Sequence, residues 1–161
     1  MSASLLLTAL LLFQAAGPKP IIDNARVRVW ENRSSTASFD LDTLTVTSDG
    51  SVHYYKAGSQ APAAKLTIGF KAGSVKELPN NSGFPLAMQR PGAKQILDNP
   101  RLTAWDYAWT LNKPTPMHFH DKDVVVMFLE EGDLQSTTVK GEVTLNQYKP
   151  GTIRFNARDR V

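Results

Sequence analysis

The segment His118-Phe119-His120, followed by Asp121-Lys122-Asp123, holds the residue types in this chain best suited to chemistry. In an extended strand, side chains two apart face the same way, so the two imidazoles are expected to stand side by side. The acidic turn and the apolar run Val124-Val125-Val126-Met127-Phe128-Leu129 read as a hairpin folding back over that strand. Two neutral imidazoles with a nearby carboxylate form a partial ligand set for a divalent transition metal. A His-x-His pair also occurs on strand surfaces and among hydrogen-bonded core histidines. The flanking Pro114 and Pro116, the acidic turn, the buried-type strand and the closing Gly132 favour the metal-type reading. The third histidine, His53, has no such partner and reads as structural.

The elements that would position this pair come in two copies. Ile21-Ile22-Asp23-Asn24-Ala25-Arg26 leads to Trp30, and Ile96-Leu97-Asp98-Asn99-Pro100-Arg101 leads to Trp105. Farther on, an alternating stretch from Asp42 turns at Gly50 and ends at Tyr55-Lys56-Ala57-Gly58. The stretch from Asp133 turns at Gly141 and ends at Tyr148-Lys149-Pro150-Gly151. The second copy is longer between its tryptophan and its aspartate, and the histidine pair lies in that extra length. The first copy therefore reads as the same β unit without the histidine-bearing hairpin. Residues 73–92 are rich in Pro, Gly and Asn and read as a connecting loop. Short strands are expected near residues 26–31, 41–47, 51–56, 65–71, 101–109, 117–120, 124–130, 134–139, 143–148 and 152–156, so the fold class is all-β, a sandwich or barrel.

Composition bounds the function. A chain of 161 residues with 42% hydrophobic content can bury a core, and its net charge of +3 is scattered. That spread argues against nucleic acid, which takes a dense basic face; the terminal Arg154, Arg158 and Arg160 read as solvated charge. The apolar stretch over residues 5–13 is shorter than the about 20 residues a span needs. With the small residues behind it, it reads as a signal peptide over residues 1–17, directing the chain to a periplasm or the outside. No later segment reads as a membrane span. With no cysteine, disulfides and thiolate ligands are excluded.

On these residues the chain resembles the cupin superfamily of small jelly-roll barrels. Residues 112–132, with His118 and His120, are similar to the first cupin motif. Residues 141–161, with Pro150-Gly151 and the strand after it, are similar to the second. The resemblance covers residues 96–161 as a cupin domain and 21–71 as a degenerate repeat, joined by a linker over 72–95. It implies a jelly-roll barrel and a metal held by His118, His120 and a carboxylate. Because the motif's glutamate is absent, Asp123 is its expected substitute, with Asp121 next. The metal would be Fe, Mn, Ni, Zn or Cu. Arg154 and Asn156 alternate with Ile153 and Phe155; they either point into the barrel and hold an anionic or hydroxylated ligand or face solvent. The family's last histidine would fall just past Val161, and the second copy has no strand matching 65–71. The expectation is a domain incomplete before its last strands, a fragment with an open edge that a homodimer would otherwise close. The resemblance implies an exported cupin that binds a metal and a small polar ligand. Its alternative is a metal-dependent dioxygenase or isomerase acting on a small polar molecule, with no catalytic residue assigned.

Overall fold

The computed structural model describes residues 18–71 and 78–161. The expected leader and the start of the loop at 72–77 lie outside the described residues. The chain divides into two compact units, Met1–Lys71 and Ala72–Val161. Among the described residues there is no helix, every strand pair is antiparallel, and no sheet closes into a barrel. The all-β expectation holds; the closed jelly roll is not seen.

The first unit contains β1 (Ile22–Asp23), β2 (Val27–Arg33), β3 (Ala37–Ser38), β4 (Asp42–Val46), β5 (Val52–Tyr55), β6 (Gln60–Ala61) and β7 (Ala64–Phe70). Five of these form one sheet in the order β1-β2-β7-β4-β5, and β3 pairs with β6. The centre of the sheet is β7, whose Ile68 lies opposite Val29 on one side and Leu44 on the other. These β-branched and apolar residues fit a pleated surface covered on both faces, and Val29, Leu66, Thr45 and Thr67 are buried. Arg33 is buried with them. Its guanidinium donates to Ser35, Ala61 and Pro62 carbonyls and its Nε to Thr67 Oγ1, so backbone oxygens meet the charge.

The second unit contains β8 (Ala93–Asp98), β9 (Thr103–Tyr107), β10 (Val124–Met127), β11 (Gly132–Thr137), β12 (Val143–Tyr148) and β13 (Ile153–Asn156). They pair as three ribbons, β8-β9, β10-β13 and β11-β12. The repeat seen in the sequence recurs here as hydrogen bonds. Asn24 Oδ1 accepts from the Arg26 and Val27 amides at 2.8 and 2.9 Å; Asn99 Oδ1 accepts from Arg101 and Leu102 at 2.8 and 3.0 Å. Each is an Asx turn that sets a hairpin. Gly50 and Gly141, at φ 83° and 82°, donate to Thr47 and Thr138 carbonyls. The amides of Gly58 and Gly151 donate to the carbonyls of Phe39 and Phe128, each at 2.7 Å.

The copies differ in what covers them. In the first, β7 lies between β2 and β4. Among the described residues no strand fills that place between β9 and β11 in the second. The consequence is exposure: Thr43, Leu44 and Thr45 of β4 are buried, whereas every residue of β11 except Leu134 is exposed.

Candidate functional site

The strand expected at 117–120 is not one. The prolines before it lack amide donors and cannot themselves extend a ladder. It forms two isolated bridges instead. Phe119 donates to Pro85 O and accepts from the Ala87 amide, at 2.8 and 2.9 Å; His120 donates to Arg160 O and accepts from the Asp159 amide, each at 2.8 Å. The expected hairpin with the following apolar run is replaced by pairing of β10 with β13. The alternation nevertheless survives. Phe119 is buried, while His118 and His120, both half-buried, bring their rings to 5.0 Å between centroids.

The approach to the pair is fixed locally. Thr115 Oγ1 and the Tyr107 hydroxyl share a hydrogen bond of 3.0 Å, which ties the proline-rich segment to β9. His118 Nδ1 donates to the carbonyl two residues back, Pro116 O, at 2.8 Å, and that assigns the proton to Nδ1 and leaves the Nε2 lone pair. Nε2 faces Nη1 of Arg90 at 3.4 Å. The Arg90 guanidinium lies 4.0 Å from the centre of the Tyr107 ring, within cation–π range. Arg90 belongs to the segment read as a connecting loop, which the Pro85–Phe119–Ala87 bonds bring to the histidines.

On the other side stands Arg160. It lies opposite His120 in the antiparallel bridge, so the two side chains project together. Both imidazoles are held below the ordinary histidine range. For His118 the leading cause is burial, opposed by the hydrogen bond to Pro116 O and reinforced by Arg90 and Arg160. For His120, burial and then Arg160, His118 and Arg90 lower it to about 4, against a small opposing effect of Asp121. At neutral pH both are uncharged. His120 Nδ1 and Arg90 Nε are buried and make no hydrogen bond.

The carboxylates are turned elsewhere. Asp123 Oδ1 accepts from the Arg158 amide at 3.0 Å, and its Oδ2 stands 3.6 Å from Arg158 Nε. Asp121, which is buried, pairs with Lys122 at 3.0 Å. Among the described residues no group of three or more His, Cys, Asp or Glu side chains is placed to hold a metal ion. The donor set present, two imidazoles with a guanidinium on the Nε2 of one, does not fit a resident metal centre. Asp123 was expected as the third ligand because it follows the pair in sequence. The fold takes it across to the terminal arginines, which also corrects the reading of Arg158 as solvated charge.

Arg154 and Asn156 lie on one face of β13, opposite Val126 and Val124. Arg154 donates to the Tyr148 hydroxyl. Tyr148 stacks on Phe128 at 3.7 Å, Phe128 on Trp109 at 5.9 Å, and Trp109 meets the Tyr107 edge at 4.7 Å. Arg154 also acts electrostatically on Arg160, whose pKa is lowered first by burial and then by that neighbour. Ring and hydrogen-bond contacts thus run from Arg154 through Tyr148, Phe128, Trp109 and Tyr107 to Arg90. Asn156 makes no side-chain hydrogen bond among the described residues.

No protein-family model matches the chain, and no curated protein or solved structure matches it. Among the described residues no helix is long and apolar enough to cross a membrane.

Proposed function

We propose that this chain is an exported cupin-like binding protein that holds a small polar ligand at the paired imidazoles of His118 and His120. The observation carrying this reading is the 5.0 Å approach of two half-buried neutral rings, with His120 Nδ1 buried and unbonded. A buried polar atom without a partner is costly, by about 1–3 kcal/mol, and a ligand that hydrogen-bonds it removes that cost. Neutral imidazoles each offer one donor and one acceptor, which suits hydroxyl, carbonyl and acid groups.

A second reading has a divalent transition metal at the same two rings, favoured by their proximity and their neutrality. The remaining ligands would then come from outside the chain, and Arg90 would have to leave His118 Nε2. An oxygenase or isomerase would need that metal, and the arrangement favours binding over catalysis.

The test is nuclear magnetic resonance of the histidine ring protons, with His53 as internal control. Titration with small polar molecules, and separately with zinc chloride, is expected to shift His118 and His120 together and saturably while His53 stays fixed. Silence of both rings toward every probe would remove the site. Saturable binding of zinc alone would favour the second reading.

A further inference from the structure

We propose that the ligand at this site is a small oxyanion, a carboxylate or a phosphate, gripped between the guanidinium groups of Arg90 and Arg160. The inference rests on the reading of the paired imidazoles as a binding site and names the chemistry that site selects.

The charges that act on both histidines are the guanidiniums of Arg90 and Arg160; the Asp121 carboxylate acts on His120 alone, with the opposite sign and less effect. Arg90 sits against His118 Nε2, and Arg160 projects beside His120. Two neighbouring carboxylates are engaged, Asp121 by Lys122 and Asp123 by Arg158, while Asp159 precedes Arg160 and bonds His120 O through its amide. Among the described residues neither Arg90 nor Arg160 makes an ion pair. Arg154, which acts on Arg160 from β13, adds positive charge and bonds only a neutral hydroxyl.

Two guanidiniums set about a pair of half-buried rings, neither of them held in an ion pair, disfavour a metal dication there. An oxyanion reverses that balance, because its oxygens accept charge-assisted hydrogen bonds from planar guanidinium forks. Arg90 is preorganised for the task. Its guanidinium rests on the Tyr107 ring, its Nε is buried without a partner, and its Nη1 has only the 3.4 Å approach to His118, longer than a good hydrogen bond. His120, which carries a ring N–H on one nitrogen or the other, completes the site as a donor to the same anion, while His118 keeps its proton on Nδ1 against Pro116 O.

The experiment follows the His118, His120 and His53 ring resonances of the full chain at pH 7.5 and constant ionic strength. The probes are sodium benzoate, sodium phosphate and benzamide, the neutral isostere of benzoate. The expected result is saturable movement of His118 and His120 with benzoate or phosphate, at least about tenfold tighter than with benzamide. Whichever oxyanion is preferred distinguishes a carboxylate ligand from a phosphoryl one. Arg90→Gln and Arg160→Gln are each expected to weaken oxyanion binding about tenfold, with Arg90→Lys and Arg160→Lys recovering part of the loss. Benzamide binding as tightly as benzoate, or unchanged oxyanion affinity in both glutamine variants, would overturn the proposal while leaving the imidazole site standing. Loss of every response at His118 and His120 would take away the site itself. If a glutamine variant does not fold, the benzoate–benzamide comparison on the unaltered chain decides.

Discussion

Arg90 Nη1 lies 3.4 Å from His118 Nε2, on the lone pair that a metal or a ligand would otherwise meet. The guanidinium is one of the groups that hold this imidazole below its ordinary range. Removing it by Arg90→Ala is expected to raise the pH at which His118 titrates, because a nearby cation is lost and the ring becomes better solvated. The same variant is expected to bind zinc more tightly than the parent chain. Ring-proton shifts against pH and a zinc titration check both outcomes; an unchanged His118 midpoint would mean that Arg90 does not face the ring in solution.

The depressed His120 gives a stability dependence with a definite sign. Its ordinary value is 6.5 and burial with Arg160 lowers it to about 4 in the fold. Between these values the unfolded chain binds the proton and the folded chain does not. Stability from this residue is therefore complete above pH 6.5 and is lost as pH falls toward about 4. His120→Asn is expected to flatten that part of the profile. Denaturant midpoints for the second unit, followed by amide resonances from pH 7.5 down to pH 4.5, provide the measurement.

Part of this site could be read directly from the sequence and part could not. Period-two alternation places His118 and His120 together even though the segment is not a ladder strand, because two bridges keep Phe119 buried between them. Arg90 was missed since it sits in a proline- and glycine-rich stretch with no periodicity, and only the pairing of Leu86 with Phe119 brings it near. Arg160 was read as solvated charge and is indeed exposed, but sequence spacing could not show that its backbone bonds His120. Asp123 was named for its closeness in sequence, whereas in the fold Arg158 engages that carboxylate. The hairpin turns were legible because each needs particular residues, an Asx acceptor at Asn24 and Asn99 and a left-handed backbone at Gly50 and Gly141.

Those two glycines should respond alike. Both have φ near +80° and neither has any atom within 4 Å of an added Cβ. Only backbone strain opposes substitution, so Gly50→Ala and Gly141→Ala are each expected to cost about 1–2 kcal/mol, and the asparagine variants less. Gly69 is different. A Cβ there would meet Leu41 Cδ1 at 2.9 Å and the Trp30 ring at 3.3 Å. Gly69→Ala is expected to cost about 1–3 kcal/mol through overpacking, and Gly69→Asn is expected to cost more still. Urea midpoints of the three alanine variants, with asparagine at each position, separate strain from crowding.

The open ribbon of the second unit carries the last prediction. Val143 and Leu145 project from one face of β12 at 60% and 64% exposure, opposite Thr137 and Gln135 of β11. In the first copy the equivalent hairpin is covered because β7 pairs with β4. Here neither β11 nor β12 has a second neighbour among the described residues, so backbone donors and acceptors lie open beside an apolar surface. Exposed edges of this kind pair with other chains, and exposed apolar patches favour the encounter. The chain is therefore expected to associate with rising concentration, and Val143→Lys with Leu145→Lys to shift it toward the monomer. Neither substitution removes a buried contact, so stability should change by no more than about 0.5 kcal/mol. Light scattering across a dilution series reads the association. A mass independent of concentration in the parent chain would show that the ribbon edge is protected in solution.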